Sequence, residues 1–276
     1  MPKKWFLWFV YHNPFGLPFR MLFRMKWFSE MSGVLFSTPL SRYLIPLLMK
    51  VYGIKLDTYE TPEGGFSTVN DFFIRSSHRD FRHFPREETY LWSPADSCVE
   101  IFQGISSVQD FCVKGYHANL LNLFWPKISE FSSGDICFCR LRFSDYHHFH
   151  FFDEGEILGT WEREWPLYSV DNSVLDTGLW VQNKSHLTHL HTVQFWDVLW
   201  LEVWATNVGS IVNHKVVWSS FSRGEEKWYF QLGGSAVLIA FQKWKIQWRS
   251  EILTMNADGK EYEVVTGWIL GHAYWS

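Results

Sequence analysis

Three histidines fall within four residues in Ser144-Asp145-Tyr146-His147-His148-Phe149-His150. Histidine exchanges a proton near neutral pH, so this segment could supply a general base and a proton donor. In extended backbone His148 and His150 share one face and His147 points the other way. The same side chains also ligate zinc, and His186, His189 and His191 could extend such a set; a zinc site would need tetrahedral geometry. A polar loop between strands is the plain alternative, and no metal is assigned. Asp96, in Trp92-Ser93-Pro94-Ala95-Asp96-Ser97, could orient a histidine in an Asp–His–Ser set, or simply close an Asx-turn. Lys114, in Val113-Lys114-Gly115-Tyr116, could meet a phosphate or carboxylate, or face water. The last candidate is Gln231-Leu232-Gly233-Gly234-Ser235, which runs straight into Ala236–Phe241. It sets one hydroxyl between flexible backbone and a rigid apolar anchor; an ordinary turn is the alternative.

The elements that must position these groups change character near residue 90. Residues 38–56 carry Leu40, Leu44, Leu47, Leu48 and Val51 at helical spacing, with Pro46 placed to kink or divide the helix. Thr68 could cap a short helix through Arg75. Beyond residue 90, short apolar runs alternate with Gly, Asn, Asp and Ser. Strands are expected at Cys98–Phe102, Ile136–Phe143, Thr192–Ala205, Val208–Val217, Ala236–Phe241 and Lys245–Trp248. A helical piece is expected at Asn119–Phe124, and His186–His191 reads as an ordinary strand edge. The fold class is therefore α+β: a helical N-terminal region packed on a mostly antiparallel β core. The expected division is a helical, membrane-interface region at 1–60 and an α+β catalytic domain at 61–276.

Composition narrows the function classes. A net charge of −4 gives no broad basic field for nucleic acid. Aromatic residues make up 19% of the chain and 17 are tryptophan, a usage suited to an amphipathic surface. The four cysteines form no CxxC pair and read as reduced thiols. No apolar run is long enough to predict a transmembrane helix. Residues 1–29 contain Lys3, Lys4, Arg20, Arg24 and Lys26 among Trp5-Phe6-Leu7-Trp8-Phe9-Val10, Phe19 and Trp27-Phe28, with no acid before Glu30. This pattern suits a segment lying in a membrane interface. A helix packed on the protein's own core and a basic transit peptide are the other readings.

In chain order, several segments together resemble the phosphatidylserine decarboxylases. They are Asn70-Asp71-Phe72-Phe73-Ile74-Arg75, Ser93-Pro94-Ala95-Asp96, Val113-Lys114-Gly115 with Leu120-Leu121, and Asp145-Tyr146-His147 with His150. Leu167-Tyr168-Ser169-Val170, Asn183, Asn207-Val208-Gly209-Ser210-Ile211 and Arg223-Gly224-Glu225-Glu226 follow, before Gly233-Gly234-Ser235. The resemblance implies a proenzyme that cuts itself between Gly234 and Ser235. Ser235 would attack the Gly234 carbonyl, with His150 as base oriented by Asp96, and residue 235 would become a pyruvoyl group. It further implies decarboxylation of phosphatidylserine to phosphatidylethanolamine through a pyruvoyl Schiff base, with His147 near the substrate carboxylate; Lys114 is a candidate substrate contact by its residue type alone. The implied partners are the lipid, an anionic membrane surface and the protein's own two cleaved chains, with a homo-oligomer also open. The implied location is peripheral, on the inner face of a bacterial cytoplasmic membrane or on the mitochondrial inner membrane of a eukaryote. A catalytically impaired membrane-peripheral lipid-binding homologue is the alternative.

Some positions depart from the family pattern. Ala236 stands where threonine is expected, which predicts slower self-cleavage. Ser97 replaces glycine, His148 arginine and Phe152 proline. Tryptophan occupies three expected glycine positions, 165, 204 and 228, and is costly there if the backbone needs positive φ.

Overall fold

The computed structural model describes residues 2–24, 26–78, 81–105, 111–113, 116–118, 123–164, 167–204, 217–232 and 235–274. Lys114, Gly233, Gly234, Trp165, most of Asn119–Phe124 and all but the last residue of the expected strand Val208–Val217 lie outside them.

The N-terminal region is largely helical as far as Tyr52, as expected. Helices α1 (Pro2–His12), α2 (Leu17–Arg24), α3 (Lys26–Phe36) and α4 (Ile45–Tyr52) follow one another, with a 3-10 turn at Pro39–Leu44 before α4. Pro46 sits in the first turn of α4, where its missing N–H costs nothing, so it divides the expected 38–56 helix. Gly53 closes α4 in the left-handed conformation at φ 67°. Helix α5 (Val69–Phe73) starts at Thr68, whose side chain accepts from the Asp71 N–H at 3.0 Å. Thr68→Ala is expected to cost about 1 kcal/mol of stability, measurable by denaturant unfolding.

Among the described residues, fifteen strands follow. They are β1 (Tyr90–Trp92), β2 (Ser97–Ile105), β3 (Phe111–Val113), β4 (Tyr116–Ala118), β5 (Gly134–Leu141), β6 (His148–His150), β7 (Gly155–Arg163) and β8 (Ser185–Thr192). Then come β9 (Trp196–Trp204), β10 (Ser220–Phe221), β11 (Glu226–Tyr229), β12 (Ser235–Phe241), β13 (Ile246–Trp248), β14 (Tyr262–Val264) and β15 (Ile269–Ala273). Eight of them form one antiparallel sheet in the order β10-β7-β8-β9-β12-β5-β2-β14. Its inner strand β12 is buried along its whole length. Val237, Ile239 and Phe241 enter one core, and Ala236, Leu238 and Ala240 enter the core on the opposite face. This two-residue period explains why Ala236–Phe241 reads as an unbroken apolar run.

Three expectations need correction. The run Thr192–Ala205 is not one strand: Val193-Gln194-Phe195 turns the chain, and β9 begins at Trp196. The segment His186–His191 is no edge, because β8 lies between β7 and β9. Helix α6 (Ser250–Ala257) falls in the region expected to be β, and its first turn has no side-chain cap to announce it. Its Asn256 bonds the Ile101 N–H and the Val99 carbonyl of β2.

Candidate active site

Ser235 opens β12, in register with Leu141 of β5 and Trp204 of β9. Its side chain shares the face of Val237 and is fully buried. Among the described residues its Oγ has no hydrogen-bond partner. A buried hydroxyl left unpaired costs about 1–3 kcal/mol, so this one stands out as a group held for another use.

The upstream segment is held by two anchors. Strand β11 pairs with β6, placing Glu226 opposite His150 and Tyr229 opposite His148. Leu232 then enters a buried cluster with Phe72 and Phe73 of α5 and Ile45 of α4. The described segment before Ser235 is therefore held by the histidine strand β6 at Glu226–Tyr229 and by the helical region at Leu232.

His147 is wholly buried and packs on Phe73, with ring centroids 3.9 Å apart. Its Nδ1 lies 2.9 Å from the Asp145 carbonyl, which fixes the donor on that nitrogen and leaves the lone pair on Nε2. That Nε2 is buried and unpartnered, like the Ser235 hydroxyl. Burial, reinforced by the Arg75 charge, holds the His147 imidazolium well below the ordinary histidine range. Arg75 is the brace of this turn. Its Nη2 donates to the Ser144 carbonyl at 2.6 Å and to the Asp145 carbonyl at 3.2 Å, while Nη1 donates back to Phe72. The Asp145 carboxylate closes the turn on the Arg142 N–H at 2.7 Å.

His150 donates from Nδ1 to the Gly224 carbonyl at 3.2 Å, so its Nε2 also carries the lone pair. Burial lowers its pKa to about 4, against the opposing pull of Glu226. His148 and His150 share a face, both stacked on Tyr146 at 4.7 and 6.3 Å, as extended backbone requires.

Asp96 is buried, but its partners are not histidines. Arg82 donates to it from Nε at 3.1 Å and from Nη2, and Thr266 donates from its N–H at 2.8 Å and Oγ1 at 2.9 Å. The Arg82 guanidinium lies 4.2 Å over the Tyr146 ring, which in turn stacks on His150. Asp96 thus reaches the histidine segment through Arg82 and Tyr146, and no hydrogen bond joins it to His150. Sequence reasoning missed both arginines. Arg75 ends a segment that resembles the family without suggesting a role, and Arg82 lies outside every matching segment, in the polar connector 81–88 between the helical region and β1.

The departures from the family pattern find places. Ala236 faces the core opposite Ser235. Trp204 and Trp228 lie in β9 and β11 and neither has a positive φ, so the expected cost does not arise there. Both instead bury an indole N–H that has no acceptor. Phe152 is buried and stacks on Trp200 at 5.6 Å. Among the described residues, no three or more His, Cys, Asp or Glu side chains are grouped to hold a metal ion.

Comparison with known proteins shows the family of the chain. The family profile described as phosphatidylserine decarboxylase matches residues 69–259. A phosphatidylserine decarboxylase proenzyme of Clostridium kluyveri is 31% identical, across 99% of this chain and 93% of its own length. The protein of the same name from Fusobacterium nucleatum is 31% identical over 94% of this chain and 88% of its own. That of Chlamydia felis is 32% identical over 84% and 79%. The chain belongs to the phosphatidylserine decarboxylase family.

Proposed function

We propose that this chain is the proenzyme of a phosphatidylserine decarboxylase, that it cuts its own Gly234–Ser235 bond, and that residue 235 becomes its pyruvoyl group. One observation carries the reading: the buried, unpartnered Ser235 Oγ at the head of an inner strand, directly after Gly233-Gly234. The hydroxyl attacks the Gly234 carbonyl, its proton passes to an imidazole Nε2, and the amide becomes an ester. Loss of the Ser235 Cα proton breaks the ester C–O bond. This frees Gly234 as a carboxylate and leaves a dehydroalanine, which water converts to the ketone with release of ammonia. His150 and His147 both offer the lone pair that the first step needs.

The site suits a pyruvoyl group. Ser235 makes no side-chain hydrogen bond that the conversion would sacrifice, and pairing to β5 and β9 fixes the residue. The group supplies an electron sink for the carbanion left when CO2 departs. Both imidazoles are held neutral by burial, which keeps a proton acceptor at hand. Asp96 acts through Arg82 and Tyr146, and Lys114 remains the candidate substrate contact.

Cleavage need not separate the chains. Residues 235–276 contribute β12 between β9 and β5, β14 beside β2, and β15 beside β1. The two pieces should co-purify under native conditions. The N-terminal helical region supplies the lipid-facing surface. Trp5, Trp8, Phe15 and Leu40 are 66%, 50%, 80% and 76% exposed. Among the described residues, no helix is long and apolar enough to cross a membrane. Such a surface beside basic residues suits peripheral docking on anionic lipid.

The test is release of CO2 from phosphatidylserine in anionic vesicles. Wild-type protein should release it and Ser235→Ala should not. Equal turnover by both would overturn the assignment of residue 235.

A further inference from the structure

Lys227, Glu202, His186 and Thr188 form a buried polar set that the reaction as described does not use. Lys227 is 2% exposed and Glu202 is fully buried. Lys227 Nζ donates to Glu202 Oε1 at 2.5 Å and to Thr188 Oγ1 at 3.1 Å. Glu202 Oε2 lies 3.2 Å from His186 Nδ1. The ammonium also lies 4.1 Å from the Trp228 ring centroid. Burial pulls the Lys227 pKa down and the Glu202 carboxylate opposes that pull. A buried ion pair is seldom a net source of stability compared with apolar packing, so its presence calls for another reason.

Its place in the fold supplies one. Lys227 stands on β11, eight residues before Ser235. Glu202 stands on β9, in register with Val237 and two residues before Trp204, the partner of Ser235. Side chains two apart on a strand share a face, so Glu202 and Ser235 look the same way from neighbouring strands. The pair therefore ties the start of the 227–235 segment to the strand beside its end. We propose that Lys227 and Glu202 are positioning residues for self-cleavage, a staple that holds the upstream arm of the Gly234–Ser235 bond against the sheet. The inference rests on the self-cleavage reading above. Without the staple the loop explores more conformations, and fewer of them place the Gly234 carbonyl within reach of the hydroxyl.

The test is the rate of conversion to two fragments, followed on denaturing gels well below the melting temperature. Melting temperatures are compared in a Ser235→Ala background, where each protein is one uncut chain. Lys227→Met/Glu202→Met replaces the pair with apolar groups. It should melt within a few degrees of the parent and cut itself at least tenfold more slowly. A folded double variant that cuts within twofold of the wild-type rate overturns the inference. Glu202→Gln keeps the shape, and Lys227 can then donate as a neutral amine; it should fold and cut several-fold more slowly. Should the double variant not fold, a wild-type rate in Glu202→Gln overturns the inference equally. If the wild type itself does not cut, the self-cleavage reading fails instead.

Separate observations carry a second inference. Of the four non-glycine residues with positive φ among the described residues, three are tryptophan: Trp196 at 61°, Trp218 at 68° and Trp244 at 61°. Their side chains are 56%, 74% and 70% exposed, and the ring contacts of Trp196 with Lys245 and of Trp244 with Lys243 lie at the surface, where they are weak compensation for the backbone. The left-handed region is open to glycine and is a genuine outlier for a bulky residue. Trp92, Trp200, Trp204 and Trp228 bury indole N–H groups without acceptors, in a chain with 17 tryptophans. We infer that the triplets written as tryptophan at 196, 218 and 244 are read as glycine in the organism that makes this protein. Peptide masses of the protein isolated from that organism should show glycine at all three positions; tryptophan there overturns the inference.

Discussion

Arg82→Ala is expected to lower the stability of the uncut chain by about 3–5 kcal/mol, the cost of leaving a buried charge without its partner. The side chains of Arg82 and Asp96 are each only 9% exposed, so water cannot replace the guanidinium easily. The loss leaves Asp96 with Thr266 alone and removes the cation from the Tyr146 face. It also removes Arg82's hydrogen bonds to Ser77 and Tyr59, which tie the connector to the N-terminal region. Denaturant unfolding in a Ser235→Ala background measures the effect on a single chain. Arg82→Ala/Asp96→Asn should recover part of the loss, because no orphan charge then remains. A loss below about 1 kcal/mol in the single variant would show the pair to behave as a surface ion pair.

His150→Ala is expected to slow self-cleavage by roughly 10²–10⁴-fold, the usual worth of a positioned general base. Its pH dependence should be displaced from that of an ordinary histidine. Burial holds the His150 pKa at about 4, so the ring is already a free base through the neutral range. The wild-type rate should stay level from neutral pH down towards pH 5 and fall as the pH passes through about 4. A rate that falls through pH 6.5 instead would assign the proton transfer to a group outside this pocket. Stability falls in the same direction but over a window that opens at higher pH. The unfolded chain takes up a proton near pH 6.5 and the folded His150 does not until about pH 4, so stability is lost across that window on acidification. His147, also held well below its ordinary value, adds to the loss.

Much of this was legible in the residue order, because it depends on local rules. Period two marks β12, a threonine cap marks α5, and proline marks the start of α4. The α6 helix was not: Ser250 is a favoured helix-start residue, but the cap position falls on Arg249 and no side chain closes the first turn. Trp196 was hidden because a tryptophan is no signal for a left-handed turn, so β8 and β9 could not be told apart at their junction. Asp96, His147, His150 and Ser235 could be named as candidates from the motifs. Their partners could not. Arg82 reaches Asp96 across 14 residues and Arg75 reaches the histidine turn across about 70, contacts set by tertiary packing. The Lys227–Glu202 pair is the clearest case: each residue sits in an unremarkable strand of a different sheet, and only the packing of the β11–β6 pair on the eight-stranded sheet brings them together.

The central claim is that this protein makes its own reactive group by breaking one backbone bond, and the intact mass of purified wild-type protein tests it most directly. Two fragments are predicted, divided between residues 234 and 235. The smaller should be blocked to N-terminal sequencing and should carry the mass of a pyruvoyl group in place of serine. A single uncut chain under conditions that support folding would contradict the account.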